Sequence, residues 1–303
     1  MGAPGTTGPG VQSAQSLTVT GRPAMARYTA VTAPAAGSPA WRRAGIGVAR
    51  GAWQVLADGR LVSVIAILAV WQLVADLAHI SPVVLPAPSA VISSWWDVLL
   101  HGDLLGALGY TVQSFAIGFA ISAVIGVPAG IAMGLARRFR YVLDPYVTIL
   151  LGTPFVAFVP VLLVWTGLGI ETRIAAALLF SFPFVVVNAE AGVRDVDQSL
   201  VSMARSYEVP PLKIFRKVIL PGAFGSIFVG LRLGASHGFK GVIIAELLIS
   251  NIGIGGLVSE YGGAFRTDHL LAVILTALAI VLLINGLFQL ISRYFLPWRA
   301  GQR

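Results

Sequence analysis

The chain has 303 residues, 56% of them hydrophobic and only 11% charged, whereas a soluble domain devotes about a quarter of its residues to charge. Too little polar surface is available to face water, so the composition points to a polytopic membrane protein and an all-α fold. The formal charge of +8 falls in short basic clusters between apolar runs rather than on one face, which argues against a nucleic-acid partner; with no cysteine, disulfides and thiolate metal sites are excluded.

Residues 1–40 are rich in Gly, Ala, Pro, Ser and Thr, lack apolar periodicity and read as a disordered N-terminal tail. The tail has no signal-peptide core, and "MGAPGT" fits the myristoylation pattern only formally. Met25 is an alternative start. Residues 41–60 intersperse Trp41, Ile46 and Trp53 with Arg42, Arg43 and Arg50, the make-up of an interfacial amphipathic helix.

Six apolar segments follow, at 61–80, 108–136, 146–168, 174–193, 222–250 and 270–292. Each is near or above the ~20 residues a helix needs to cross the hydrocarbon. Backbone groups in lipid must be satisfied within the segment, so these are read as transmembrane helices. Lys and Arg alternate across the connections. Six arginines precede the first span, none occupies 81–107, and Arg137, Arg138 and Arg140 come next. Arg173 stands alone before the loop carrying Arg194, Arg205, Lys213, Arg216 and Lys217; Arg266 then stands alone before a basic tail, 299–303. By the positive-inside rule both termini and the 194–221 loop are cytoplasmic, in the cell membrane.

Small residues recur every fourth position at Ser114, Gly118, Ser122, Gly126, Gly130 and Gly134, and again at Gly222, Ser226, Gly230, Gly234 and Gly238. Such rows admit close backbone approach. They serve either packing within one subunit or a moving seam. Pro128, Pro154 and Pro160 are expected to kink their spans.

The basic loop should contain a helix over 198–207, capped by Asp195 or Asp197. Pro210 and Pro211 should open a second helix, with Lys213, Arg216 and Lys217 on one face and Leu212, Phe215 and Ile219 on another. Pro221-Gly222 should then turn the chain into the next span. A helix-turn-helix with an exposed apolar edge suits a cytoplasmic partner; a solvated loop lying on anionic headgroups is the other reading.

This loop is similar to that of ABC importer permeases, where a Glu-Ala-Ala…Gly motif precedes an Ile-x-Leu-Pro ending. "VILP" (residues 218–221) matches the ending. The Gly position falls on Glu208, and the Glu-Ala-Ala positions fall on Ser202, Met203 and Ala204, of which Ala204 alone matches. "MARSY" resembles the variant of sulfonate, nitrate and taurine permeases. So do "LPAPSAV", "TPFVAFVPVLLVWTGLGIETRIA", "AELLISNIGIGGL", "TDHLLAVI" and the closing "PW", in family order across residues 61–298.

The resemblance implies that 61–298 is a permease domain and that 194–221 is a coupling loop, gripped by a separate ATPase. It implies contact roles for Ser202, Ala204, Tyr207, Glu208, Lys213, Arg216 and Lys217, a second permease copy in a homodimer, and an extracytoplasmic solute-binding protein. ATP and Mg would belong to the partner subunit: no G-x-x-x-x-G-K-[ST] occurs here. No catalytic residues, cofactor or metal site are expected in this chain. The implied solute is a small oxyanion such as a sulfonate, taurine or nitrate.

Ionisable residues within spans mark candidate pathways. His237, Lys240 and Glu246 in the fifth span and Asn188 in the fourth are the translocation-path candidates, with structural ion pairing to Glu190, Glu246 or a second copy as the rival reading. Arg232 is expected to reach the cytoplasmic headgroups. An ion-gradient-driven secondary carrier or channel is the alternative function, with Lys240 and Glu246 as relay groups.

Overall fold

The computed structural model describes residues 60–77, 81–249 and 252–295, together with Gly2. The chain forms two units, Met1–Leu61 and Val62–Arg303, and the helical bundle is the second. The tail at 1–40 apart from Gly2, the interfacial helix at 41–60 apart from Arg60, and the segment 299–303 lie outside the described residues.

No strand occurs among the described residues; the fold is all-α. The first helices are α1 (Arg60–Leu77), α2 (Pro88–Leu100), α3 (Leu104–Leu135) and α4 (Arg137–Gly152), followed by a 3₁₀ turn (Phe155–Phe158) and α5 (Val159–Thr166). Next come α6 (Ile170–Arg194), α7 (Gln198–Ser206), the short α8 (Pro211–Ile214), a π turn (Phe215–Ile219), α9 (Leu220–Ile249), α10 (Gly253–Gly263) and α11 (Thr267–Phe295).

Helix α6 sits between α3 and α9. The buried stripe of α3 is Thr111, Ser114, Gly118, Ser122, Gly126 and Gly130, and it meets α6 at Ala177, Val185 and Ala189. The second row, on α9, meets the other side of α6: a methyl at Gly230 would stand 2.6 Å from Asn188 Cβ, and one at Gly234 2.7 Å from Val185 Cγ2. Ser181 Oγ donates to the Gly234 carbonyl at 2.9 Å, tying α6 to α9. Both small-residue rows therefore pack inside one subunit. Where lipid offers no hydrophobic drive for helix association, dispersion at close backbone approach takes its place.

Among the described residues, four helices are long and apolar enough to cross a membrane: Leu104–Leu135, Ile170–Arg194, Pro211–Ile249 and Thr267–Ser292. The apolar helix Val62–Leu77 is shorter. The expected third span, 146–168, is not one rod; α4 and the 3₁₀–α5 segment meet at a 100° bend. Pro154 explains the break. It has no amide to continue the helix and pushes Thr153 into extended backbone, φ −91° and ψ 138°. Pro128, by contrast, is absorbed within a continuous α3.

A second correction concerns Pro221-Gly222, which does not turn the chain. Helix runs from Pro211 to Ile249, and Leu220 N–H bonds to the Phe215 carbonyl five residues back. This wider π turn relieves the carbonyl that a proline ring would otherwise strike one turn earlier.

At the far end of α9 from the loop, α2 is fastened to α11. Ser94 Oγ donates to Asp268 at 2.6 Å, Trp95 Nε1 to Thr276 at 3.0 Å, and His269 Nε2 lies 3.2 Å from Asp97 Oδ2. The hydrogen bond with His269 holds the Asp97 carboxyl below the usual carboxylate range.

The packing sets opposite outcomes for two glycine substitutions. Gly234→Ala forces its methyl against the fully buried Val185 and should lower the thermal midpoint of the detergent-solubilised protein by an amount worth about 1–3 kcal/mol. Gly109→Ala, on the same helix as the α3 row but with open space beside it, should leave the midpoint unchanged or raise it by about 1 kcal/mol through helix propensity.

Candidate functional site

The loop between α6 and α9 is a structured arm. Asp197 caps α7, its Oδ1 accepting from Ser199 N–H at 2.8 Å, and this bond lowers its pKa from the usual value. Asp195 instead closes α6. The end of α7 is a Schellman turn: Val209 N–H bonds to the Ala204 carbonyl at 3.2 Å and Glu208 N–H to the Arg205 carbonyl at 2.9 Å. Glu208 occupies the left-handed position, φ 55°. A side chain there costs about 1–2 kcal/mol, which glycine avoids. Of the predicted contact residues, Ser202, Tyr207, Glu208, Lys213, Arg216 and Lys217 are exposed and Ala204 is half-buried. On the expected apolar edge, Phe215 and Ile219 are half-buried. Leu212 is exposed, and Ile214 is the residue that packs inward, with Val193, Val196, Val201, Ala223 and Ile227. Spacing assigned Ile214 to neither face, and it lies in the short α8 just before the π turn. That buried cluster ties the arm to the ends of α6 and α9, while Tyr207 at 79% exposure stands clear of it.

The path candidates separate into two groups. His237 stacks on Phe184 with ring centroids 3.8 Å apart, and Asn188 Nδ2 donates to the Phe184 carbonyl at 2.8 Å. Both therefore gather at one point of the α6–α9 contact, and Lys240, one turn beyond His237, is exposed. Glu246 lies elsewhere. It is fully buried, Thr111 Oγ1 is 2.9 Å from both its carboxylate oxygens, Gly255 N–H donates to it at 3.0 Å, and Arg173 Nη1 stands 3.8 Å away. Thr111 also accepts from Ile254 N–H at 2.9 Å. Glu246 thus joins α3, α6, α9 and the start of α10 at a single carboxylate. Gly253, at φ 84°, leaves the space that the carboxylate fills.

The sequence did not reveal Thr111 and Arg173 as partners of Glu246. Thr111 lies three residues before Ser114, on the same buried face of α3 as the small-residue row, which was the available signal. Arg173 carried only a topological meaning. The other acid, Glu190, pairs with Arg140 at 3.1 Å and Arg194 at 3.5 Å. Neither acid is bonded to Lys240, so intramolecular pairing with Glu190 or Glu246 does not account for that cation. Arg232 is half-buried at mid-α9, its Nε without a hydrogen-bond partner.

The model of the binding-protein-dependent transport system inner membrane component family matches residues 126–300, more than half of the chain. The chain belongs to that family. It is the membrane-spanning permease subunit of an ABC importer, a multi-pass inner-membrane protein. The permease is 31% identical over 77% of its length to the Bacillus subtilis permease named for aliphatic sulfonates transport, covering 84% of that protein. It is likewise 31% identical to the Escherichia coli taurine transport system permease, with 77% and 87% of the two chains covered. Among solved structures, it resembles the inward-facing MetNI methionine ABC transporter (TM-score 0.53, 20% identity, 69% of this chain and 98% of that one). It also resembles an amino acid ABC transporter solved with histidines (TM-score 0.56, 18% identity, 66% and 98%). These likenesses concern the fold.

Two substitutions test the local geometry. Thr111→Val removes the hydroxyl shared by Glu246 and Ile254 and should lower stability by about 1–3 kcal/mol, whereas Thr111→Ser should lose far less; thermal unfolding of the purified permease compares them. Glu208→Gly relieves the left-handed strain and should stabilise the α7 turn by about 1 kcal/mol, read as slower amide exchange at Glu208 and Val209.

Proposed function

We propose that the permease moves a small anion of the sulfonate or taurine kind, driven by a separate ATPase that grips the 194–221 arm. On this reading two copies pair as a homodimer, an extracytoplasmic binding protein delivers the solute, and both termini face the cytoplasm. Six crossings result if the bent α4–α5 segment counts as one span and Val62–Leu77 as another. Ser202, Ala204, Tyr207, Glu208, Lys213, Arg216 and Lys217 form the ATPase-facing surface. His237, Lys240 and Asn188 line the path; Glu246 holds helices together beside it.

The observation that carries the anion is the disposition of charge on the spanning helices. Glu190 and Glu246 are both engaged by arginines of other positions, which leaves Lys240 exposed on α9 with no carboxylate among the described residues paired with it. An intramembrane cation kept at such cost is a functional group by default. The names of the relatives support the same solute class. The shape of the arm, a rooted base with an exposed tip, supports the drive.

The test uses the permease with its ATPase and binding protein in proteoliposomes. ATP-driven taurine or alkanesulfonate uptake should fall at least about tenfold in Lys240→Met, while a crosslinker at Tyr207→Cys should capture the ATPase. Uptake unchanged by Lys240→Met removes the anion path, and capture of lipid alone removes the coupling role. Uptake that survives ATP depletion but collapses with the ion gradient would favour a secondary carrier.

A further inference from the structure

Glu190 is a carboxylate in the spanning part of α6, with only 9% of its side chain exposed. Two arginines reach the same oxygen, Oε1: Arg140 Nε of α4 at 3.1 Å, and Arg194 Nη1, one turn further along α6, at 3.5 Å. That oxygen has no hydrogen bond of good geometry. The pairing is electrostatic and not locked in direction. Both arginines are about half exposed, at 40% and 50%, and each lines an open cleft, Arg140 with Arg137, Tyr141 and Asp144, and Arg194 with Gln198 and Arg205.

The helices that these charges join differ in how firmly they are held. Helix α6 is gripped on two sides along its length. Helix α4 is loosely attached: of its sixteen residues only Val147 is buried, against Met133 and Val186. The bend at Thr153–Pro154 frees α4 from moving as one rod with α5. The arm between α6 and α9 begins immediately after Arg194.

A buried ion pair normally resists separation, because parting its members leaves a bare charge in a poorly solvated place. Here Arg194 rides on the same helix as Glu190. If Arg140 leaves with α4, Arg194 remains in register, one helical turn away, and still neutralises the carboxylate. We propose that Glu190 is a shared carboxylate whose second arginine lets α4 undock from α6 during the transport cycle without exposing an unpaired buried charge. Glu190 and Arg194 are then positioning residues for the motion that the arm transmits. This rests on the reading that an ATPase drives the arm.

The chain contains no cysteine, so spin labels can be placed at Arg138→Cys on α4 and Asp195→Cys at the end of α6, both exposed positions. Distances are measured in the complex with its ATPase, with and without ATP and vanadate, alongside binding-protein-stimulated ATP hydrolysis. The parent should move between a short and a long distance. Arg194→Gln should hold the short distance and cut stimulated hydrolysis about tenfold. Arg194→Lys should recover most of the loss, and adding Glu190→Gln to Arg194→Gln should restore the long distance, because no charge is left to strand. A purely stabilising role predicts the reverse, with the double variant worse than the single. The inference is overturned if Arg194→Gln moves like the parent, or if the double variant stays arrested. A parent that keeps one distance under ATP and vanadate while Tyr207→Cys still captures the ATPase overturns this inference and leaves the driven-arm reading standing; loss of that capture removes both.

Discussion

The bundle depends on how closely two helices approach α6. A membrane interior gives helices no hydrophobic reason to associate, so contact area at short range must supply the attraction. Glycines on α3 and α9 meet α6 from two sides, and methyl groups at Gly118, Gly130, Gly192, Gly230 or Gly234 would collide with side chains or carbonyls of the facing helix. Polar atoms in the same seams, such as Ser181 on the Gly234 carbonyl, fix rotation where apolar surfaces alone would slide.

Charge is distributed in keeping with that architecture. Glu246 is enclosed where α3, α6, α9 and α10 converge, satisfied by one hydroxyl, one backbone amide and one guanidinium. Burial of a carboxylate is tolerable only with that many partners. Glu190 lies nearer the arm, with two solvent-touching arginines and no directional bond on Oε1. The first acid is built to stay and the second to exchange. Between them, α9 carries cations that neither acid reaches. One continuous helix thus carries a buried structural carboxylate, an exposed lysine and, at its other end, the arm rooted by Ile214.

The arm shows how a local rule survives a missing motif residue. The Schellman turn after α7 demands a left-handed residue at position 208, and this permease meets it with glutamate at the position the motif it resembles gives to glycine. The bond pattern is retained and the strain is local. Rooting comes from Ile214 and its valine neighbours, which leaves Tyr207, Met203 and Leu212 outward.

Much of the architecture is legible in local sequence. Apolar run length, a cap at Asp195 or Asp197 and the two small-residue rows each depend on near neighbours in sequence, whereas the strain at Glu208 appears only with the geometry of the turn. The helix count was less secure, because run length cannot distinguish a straight crossing from one broken at Pro154. Nor can spacing anticipate a π turn that carries helix through Pro221. Thr111 lies 135 residues from Glu246, and Arg140 and Glu190 come from different helices. Which acid is sealed and which is shared was decided only by the tertiary structure, because burial and charge pairing are properties of surfaces brought together, and no local pattern in a chain encodes its distant partner.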